Sequence, residues 1–415
     1  MAIVKPFRAV RPAPQLVDKV AALPYDVMSS DEAREMVRGN PYSFLHVDKA
    51  EIDLDPSIDL YDTRVYEKAR ENLHGMIEEG VFIKENSDCL YLYQQKMGER
   101  KQIGVVACAS IDDYLNNLIK KHELTRADKE QDRIKHVDYC DANTGPIFLT
   151  YRSKEEIDAL VQDWVQKETP IYDFVSEDGI AHTIWVVHQP PVIQRLLELF
   201  AQVECLYIAD GHHRSASAVQ VGQMRRAANP GYSGDEEYNF FLSVIFPDNQ
   251  LQIMDYNRVV KDLNGLSSQE FLQEVSQSFN IEPYQGSGPY KPEAQRTFGM
   301  YLDGQWYILK AKEGSFDDND PVKRLDVSIM QYNLLGPILG ITDPRTDKRI
   351  DFVGGIRGLQ ELARRVDEGM KVAFSMYPTT IQDLMDIADA DKIMPPKSTW
   401  FEPKLRSGIF IHQLR

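Results

Sequence analysis

Leu206-Tyr-Ile-Ala-Asp-Gly-His-His-Arg-Ser-Ala-Ser-Ala218 changes character twice within a few residues. Val203 to Ile208 is a short, mostly apolar run of the kind that forms a buried strand. Asp210-Gly211 breaks it, and Ser215 to Ala228 is rich in helix formers. The reading is strand, tight turn, helix, with His212, His213 and Arg214 at the helix start. A helix N-terminus offers unpaired N–H groups and the positive end of the macrodipole. That is a ready anion site, and here a guanidinium and two imidazoles are added to it.

Three readings of the turn remain open on these residues. It could bind phosphate, using Asp210, Gly211, His212, His213, Arg214 and Ser215. It could bind a metal, although adjacent histidines point in different directions on a helix and no third ligand is spaced to join them. It could be structural, with Asp210 capping its own helix and Arg214 on a surface carboxylate.

Working outward, Pro190 to Phe200 reads as a helix feeding the motif, and 176–187 as a turn and strand. Lys154 to Gln166 reads as another helix. Further upstream, Lys120 to Asp138 is densely charged, and Thr144-Gly145-Pro146 leads into the apolar strand Ile147 to Tyr151. Within the charged run, Lys120 and the "KHELT" that follows it offer Lys120, Lys121, His122, Glu123 and Thr125. A glutamate beside a histidine can be a general base or a Mg²⁺ ligand; the same run can equally be a solvated face. Cys89 to Lys96 and Lys101 to Ile111 form a hairpin about Gly98, a helix runs from Thr63 to Glu79, and Ser43 to Val47 reads as a strand.

Downstream, Phe240 to Phe246 and 251–260 read as strands, and Gly265 to Phe279 as a helix capped by Ser267 or Ser268. The Gly/Pro-rich 284–294 is the best linker candidate. Val327 to Leu339 reads as a helix, and Thr379 or Thr380 caps a last amphipathic helix. In "PPKSTWFEPK", Lys397, Ser398 and Thr399 follow two prolines that stiffen the backbone. They could hold a phosphate or carboxylate, or be ordinary turn chemistry.

The expected fold class is α/β with mixed sheets, in three regions: 1–115, 116–283 containing the motif, and 284–415. The chain's 415 residues suffice for two or three packed units. Its net charge of −17, and the lack of a Lys/Arg run, argue against nucleic-acid binding and for a small-molecule role. Four scattered cysteines, with no C-x-x-C pair, suggest reduced thiols in a cytoplasmic protein. No apolar run is long enough for a membrane span, and Met1 to Pro12 lacks the apolar segment of a signal peptide. There is no P-loop motif, no G-x-G-x-x-G spacing in "FVGGIRGLQ", and no kinase HRD and DFG pair.

"KPFRAVRP", "LPYDV", "NPYSFLHV", "KHELT", "DGHHRSASA" and "MPPKSTWFEPKLRSG", in that order, resemble domain-of-unknown-function family 1015 across nearly the whole chain. "DGHHR" after a buried strand resembles the phosphate-side motif of the ParB/sulfiredoxin-like superfamily. The resemblance implies a ParB/sulfiredoxin-like core with N-terminal and C-terminal α/β additions. Within that superfamily the chain looks most like free L-serine kinases, which share a His-Glu pair ahead of a Pro-Ile strand and then "DGHHR". His122-Glu123, Pro146-Ile147 and Asp210 to Arg214 match in that order, with residues 150–200 as a long insertion between the last two.

The resemblance implies phosphoryl transfer to a small hydroxyl compound, free L-serine giving O-phospho-L-serine. Glu123, beside His122, would be the general base, and Asp210 to Ser215 would hold the donor phosphates. Asp210 would also meet Mg²⁺, and Lys397, Ser398 and Thr399 would bind the substrate or donor. ATP, ADP and pyrophosphate are equally acceptable donors on these residues. The competing reading is a ParB-like regulator that binds CTP or ATP without transferring phosphate. The expected partners are small molecules, not nucleic acid or membrane.

Overall fold

The computed structural model describes residues 2–415 and is mixed α/β, as expected. The chain forms two compact units, residues 1–251 with 403–415, and residues 252–402.

The first unit is built on a nine-stranded sheet. Its strands are β1 (Val4–Lys5), β2 (Leu90–Met97), β3 (Arg100–Ser110), β4 (Ile119–Lys120), β5 (Ile147–Tyr151), β6 (Tyr172–Val175), β7 (Ala181–Val187), β8 (Leu206–Asp210) and β9 (Phe240–Pro247). The order across the sheet is β4-β8-β5-β9-β3-β2-β7-β6, and β1 pairs with β3. Strands on either side of residue 115 share this sheet, so the chain is continuous there in structure as in sequence. The central strands are apolar on both faces, as burial on both sides requires: all five residues of β5 are buried.

The predicted hairpin forms as β2 and β3, joined at Gly98, whose φ is 59°. The predicted helices α1 (Thr63–Glu78), α3 (Glu155–Lys167), α4 (Pro190–Phe200) and α5 (His212–Ala228) also form. Between α1 and α3 the charged run contains a helix not expected from its polarity, α2 (Ala127–Cys140). It packs between α1 and α5 and buries Asp132, Arg133 and His136. Ile157, Trp164, Leu196 and Phe200, from α3 and α4, join the sheet's core.

Ser43 to Val47 is not a strand. Leu45–Asp48 is a short helix, opened by the Ser43 hydroxyl accepting from the Leu45 N–H at 3.4 Å. A four-residue apolar run does not reveal its period, and here local hydrogen bonding decides it. Three cysteines are buried, Cys205 is half-buried, and all four are free thiols.

The second unit carries a six-stranded sheet. Its strands are β10 (Tyr256–Val260), β11 (Phe279–Pro283), β12 (Thr297–Leu302), β13 (Gln305–Ala311), β14 (Ile350–Gly354) and β15 (Val372–Ser375), in the order β11-β13-β12-β15-β10-β14. The expected linker at 284–294 joins two strands of this sheet. Only 256–260 of the expected strand at 251–260 is regular, while Ile253 bridges Phe401. The expected helix at Val327 to Leu339 is α-helical only over Asp326–Met330, and Gln331–Leu335 widens into a π-helix. Gln331 holds that turn through its carbonyl, which accepts from Gly336 N–H at 2.9 Å, and through Nε2, which donates to the Ile341 carbonyl at 2.7 Å. Ser267 and Thr380 both make complete capping boxes. Among the described residues no helix is long and apolar enough to cross a membrane.

Candidate functional site

Strand pairing brings the first unit's polar motifs together. β4 runs parallel to β8, with Ile119 opposite Leu206 and Lys120 opposite Tyr207. Parallel neighbours end on the same side of a sheet, so His122-Glu123 and Asp210-Gly211-His212 leave their strands side by side. β5 runs antiparallel to β8, with Phe148 opposite Asp210, which places the start of β5, at Thr144-Gly145-Pro146, at that same end. The register shifts between Ile208 and Asp210, an irregularity of the kind that re-aims side chains.

The turn itself depends on Gly211, whose φ is 95°. That left-handed backbone conformation strains any residue with a Cβ. Asp210 Oδ1 accepts from the Gly211 N–H at 2.8 Å, and Oδ2 pairs with Lys404 Nζ at 2.8 Å. Burial alone would raise the Asp210 carboxyl. The Lys404 ammonium, the Gly211 N–H and the Arg214 charge outweigh it and hold it below the usual carboxylate range. Among the described residues no side chain caps α5, so its first N–H groups keep their donor capacity.

Arg214 is oriented by four neighbours. Its guanidinium donates to Asp48 at 3.3 Å and to the Ser407 hydroxyl at 3.1 Å, and lies 5.3 Å from the Tyr25 ring centroid. It also packs closely against Gly145, where a Cβ would come within 2.2 Å of Nη1. Asp48 in turn accepts from the Thr144 hydroxyl at 2.8 Å. Burial would push its carboxyl up, but the Arg214 charge, with help from His136, Arg133 and Ser407, brings it below normal. A second guanidinium, Arg133, pairs with Asp132 at 2.8 Å and stacks over Tyr25 at 4.0 Å. Arg133, Thr144, Gly145 and Arg214 share a cavity of about 20 Å³, room for a water-sized group but not for a phosphate.

The histidines are electrically different from the arginine. His122 is 2% exposed and His212 5%, with ring centroids 4.5 Å apart and planes perpendicular. Both ring nitrogens of His122, and Nε2 of His212, are buried and have no hydrogen-bond partner among the described residues. Burial pushes the His122 imidazole down to about 4, against weaker support from the Asp210 charge. Burial, with His122, His213 and Lys121 nearby, puts His212 well below its ordinary value. Burial also lowers His213, whose Nε2 accepts from the Arg126 N–H at 3.0 Å and ties the 121–126 loop to the start of α5. All three imidazoles are therefore neutral at pH 7. They offer lone pairs and N–H donors to a ligand, and the positive charge comes from Arg214, Arg133 and Lys404.

Glu123 stands at the rim, its side chain 43% exposed and Oε2 3.8 Å from His212 Nδ1. Ligand atoms of His122, Glu123 and His212 all lie within 4.8 Å of one another. Two neutral imidazoles and a carboxylate suit a late first-row cation better than Mg²⁺, which prefers oxygen ligands. At Asp210 both oxygens already accept from protein donors, so a resident Mg²⁺ bound directly there would compete with Lys404.

The remaining sequence-derived candidates are placed as follows. The Ser215 hydroxyl turns back into α5, donating to His212 O at 3.0 Å. Lys397, Ser398 and Thr399 belong to the second unit. There Lys397 is exposed with φ 60°, Ser398 Oγ donates to the Pro395 carbonyl at 2.5 Å, and Thr399 is half-buried. Tyr25, Asp48 and Ser407, which surround Arg214, and Lys404, which pairs with Asp210, were not singled out in the sequence. Tyr25 lies within "LPYDV" and Lys404 and Ser407 lie within "MPPKSTWFEPKLRSG", while Asp48 follows the last residue of "NPYSFLHV"; adjoining motifs at a fixed order in the chain were the available signal.

A search of curated proteins found no match to the chain. Among solved structures, a free serine kinase in complex with AMP is similar at 12% identity and TM-score 0.37, over 74% of this chain and 91% of that one. A conserved hypothetical protein from Pyrococcus furiosus is similar at 12% and 0.36, over 74% and 94%. SbnI with a C-terminal truncation, from Staphylococcus aureus, is similar at 11% and 0.37, over 72% and 82%. At such TM-scores the likenesses carry no argument about function. The model of the protein-of-unknown-function family DUF1015 matches residues 4–328. With most of its length matched, the chain belongs to the DUF1015 family.

Proposed function

We propose that the first unit transfers a phosphoryl group from a nucleotide or pyrophosphate to a small hydroxyl metabolite, free L-serine giving O-phospho-L-serine. The observation that carries this reading is the parallel β4–β8 pair, which sets a carboxylate, Glu123, beside an uncapped helix start with Arg214. An alcohol is a weak nucleophile at neutral pH, and a positioned base contributes about 10²–10⁴-fold. Glu123 has the exposure to reach an acceptor hydroxyl and take its proton. Arg214, held by Asp48 and Ser407, and the N–H groups of α5 would bind the transferred group and stabilise its charge. The neutral His122 and His212 would accept or donate hydrogen bonds at the reacting oxygens without adding charge. Mg²⁺ carried by the donor would be met by Asp210 through water and would supply neutralisation of phosphate charge. The ParB/sulfiredoxin-like assignment of the core belongs to the same proposal.

The test is mass-spectrometric detection of phosphoserine after mixing protein, Mg²⁺ and serine with ATP, ADP or pyrophosphate in turn. One donor giving product supports the reading. Saturable nucleotide binding with no product from any donor would instead identify a nucleotide-binding regulator.

A further inference from the structure

Arg258 lies in β10 of the second unit and is 3% exposed. Its guanidinium donates to the carbonyls of Tyr256 and, at 3.0 Å, Lys397, and lies 5.6 Å from the Phe352 ring centroid. Among the described residues no carboxylate pairs with it. Carbonyl dipoles orient a guanidinium but leave its formal charge uncompensated, and proteins rarely bury a charge without a partner. Burial pulls its pKa down to about 10, which still leaves a cation at neutral pH. Five N–H donors are available and backbone takes only some of them.

The same side chain lines a cleft of about 580 Å³, within the range of small-molecule sites. Phe352, Leu335, Met394 and Pro395 supply apolar wall. Tyr332, 65% exposed on the π-helix, stands at its margin, and π-turns recur at functional sites. Arg345 also lines the cleft, but Asp343 holds it through two contacts at 2.9 Å. The "MPPK" stretch thus has a local role: Met394 to Pro396 form wall, and the Lys397 carbonyl positions Arg258.

We propose that this cleft is a ligand site distinct from the one at Asp210. It takes a small organic anion, a carboxylate or phosphate ester with an apolar or aromatic body, whose acid group pairs with Arg258. A planar guanidinium matches such an acid group with two parallel hydrogen bonds. The cleft lies wholly within the second unit, so the proposal stands whether or not the first unit transfers phosphate.

Isothermal titration of the full chain with benzoate, phenyl phosphate and inorganic phosphate tests it. The expected result is saturable binding of benzoate or phenyl phosphate, tighter than inorganic phosphate. Arg258→Lys should weaken it by about tenfold or more, because the fork is lost while the charge stays. Tyr332→Ala should weaken it by a smaller factor at unchanged Tm. No saturable binding of either organic anion overturns the proposal, and so does an isotherm that neither substitution alters. Should Arg258→Lys fail to fold, Tyr332→Ala decides alone, and unchanged affinity in that variant overturns it.

Discussion

Arg214 in the first unit reaches Asp48 at 3.3 Å, and that carboxylate is 1% exposed. Arg258 in the second unit, 3% exposed, donates to the backbone carbonyls of Tyr256 and Lys397 and, among the described residues, pairs with no carboxylate. The same guanidinium is thus a compensated, positioned donor in one unit and an uncompensated cation in the other. A compensated arginine is part of the fold's stability, while an uncompensated one is a cost that a ligand can offset.

The largest expected effect separates the two. Arg214→Ala leaves Asp48 buried without its main cation and should cost about 3 kcal/mol of unfolding free energy in urea titration. Arg258→Met removes an uncompensated charge and strips two carbonyls of a donor, opposing effects that should leave stability within about 1 kcal/mol. Equal losses from both substitutions would erase the distinction.

Acid should also divide the units. His122 is ordinarily protonated near 6.5 but is held down to about 4 when folded. Below 6.5 the unfolded chain therefore takes up its proton first, and stability falls as pH drops, by about 1.4 kcal/mol per pH unit for each such histidine. His136, His182 and His212 are lowered by burial in the same direction. All nine histidines lie in the first unit. In the second unit, burial raises the Asp326 carboxyl to about 7. That contribution has the opposite sign: it is complete below the ordinary carboxylate pKa and lost as pH rises toward 7. Hydrogen exchange at pH 7 and pH 5, corrected for intrinsic rates, should show β8 losing protection at the lower pH and α-helix Asp326–Met330 gaining it. Parallel changes in both would contradict these assignments.

Gly145→Ala is a milder probe. Its Cβ would collide with Arg214, and shifting that guanidinium should weaken donor binding by about tenfold, with a stability cost of about 1 kcal/mol. A donor KM unchanged in this variant would remove Arg214 from the phosphate site. Lys404→Met should have the smallest effect. It frees Asp210 Oδ2, but that side chain is 43% exposed, so the stability change should stay within a few tenths of a kcal/mol. The Asp210 carboxyl should titrate higher, which a two-dimensional NMR titration reads.

The turn at Asp210 was legible because its elements are local: an apolar strand, a glycine whose φ is 95°, and a helix. His122-Glu123 was legible only as a pair of reactive types, since their partner depends on the β4–β8 pairing. Asp48 was hidden by a short run read with the wrong period. Arg133 and Asp132 were hidden by composition, because a charged helix looks solvated until α1 and α5 are known to enclose it. Arg258, inside an ordinary strand sequence, gave no signal at all; its meaning comes from having no carboxylate paired with it among the described residues, which no local pattern encodes.

The central claim is that Glu123 serves as the base for transfer of a phosphoryl group, held at the start of α5, onto an alcohol beside it. The most direct measurement follows O-phospho-L-serine by mass spectrometry in wild type and Glu123→Gln, with the productive donor and serine both saturating. The account predicts product from wild type and a rate lower by about 10²–10⁴-fold in Glu123→Gln at unchanged Tm. Equal rates in the two proteins, or no phosphoserine from wild type with any donor, would contradict it.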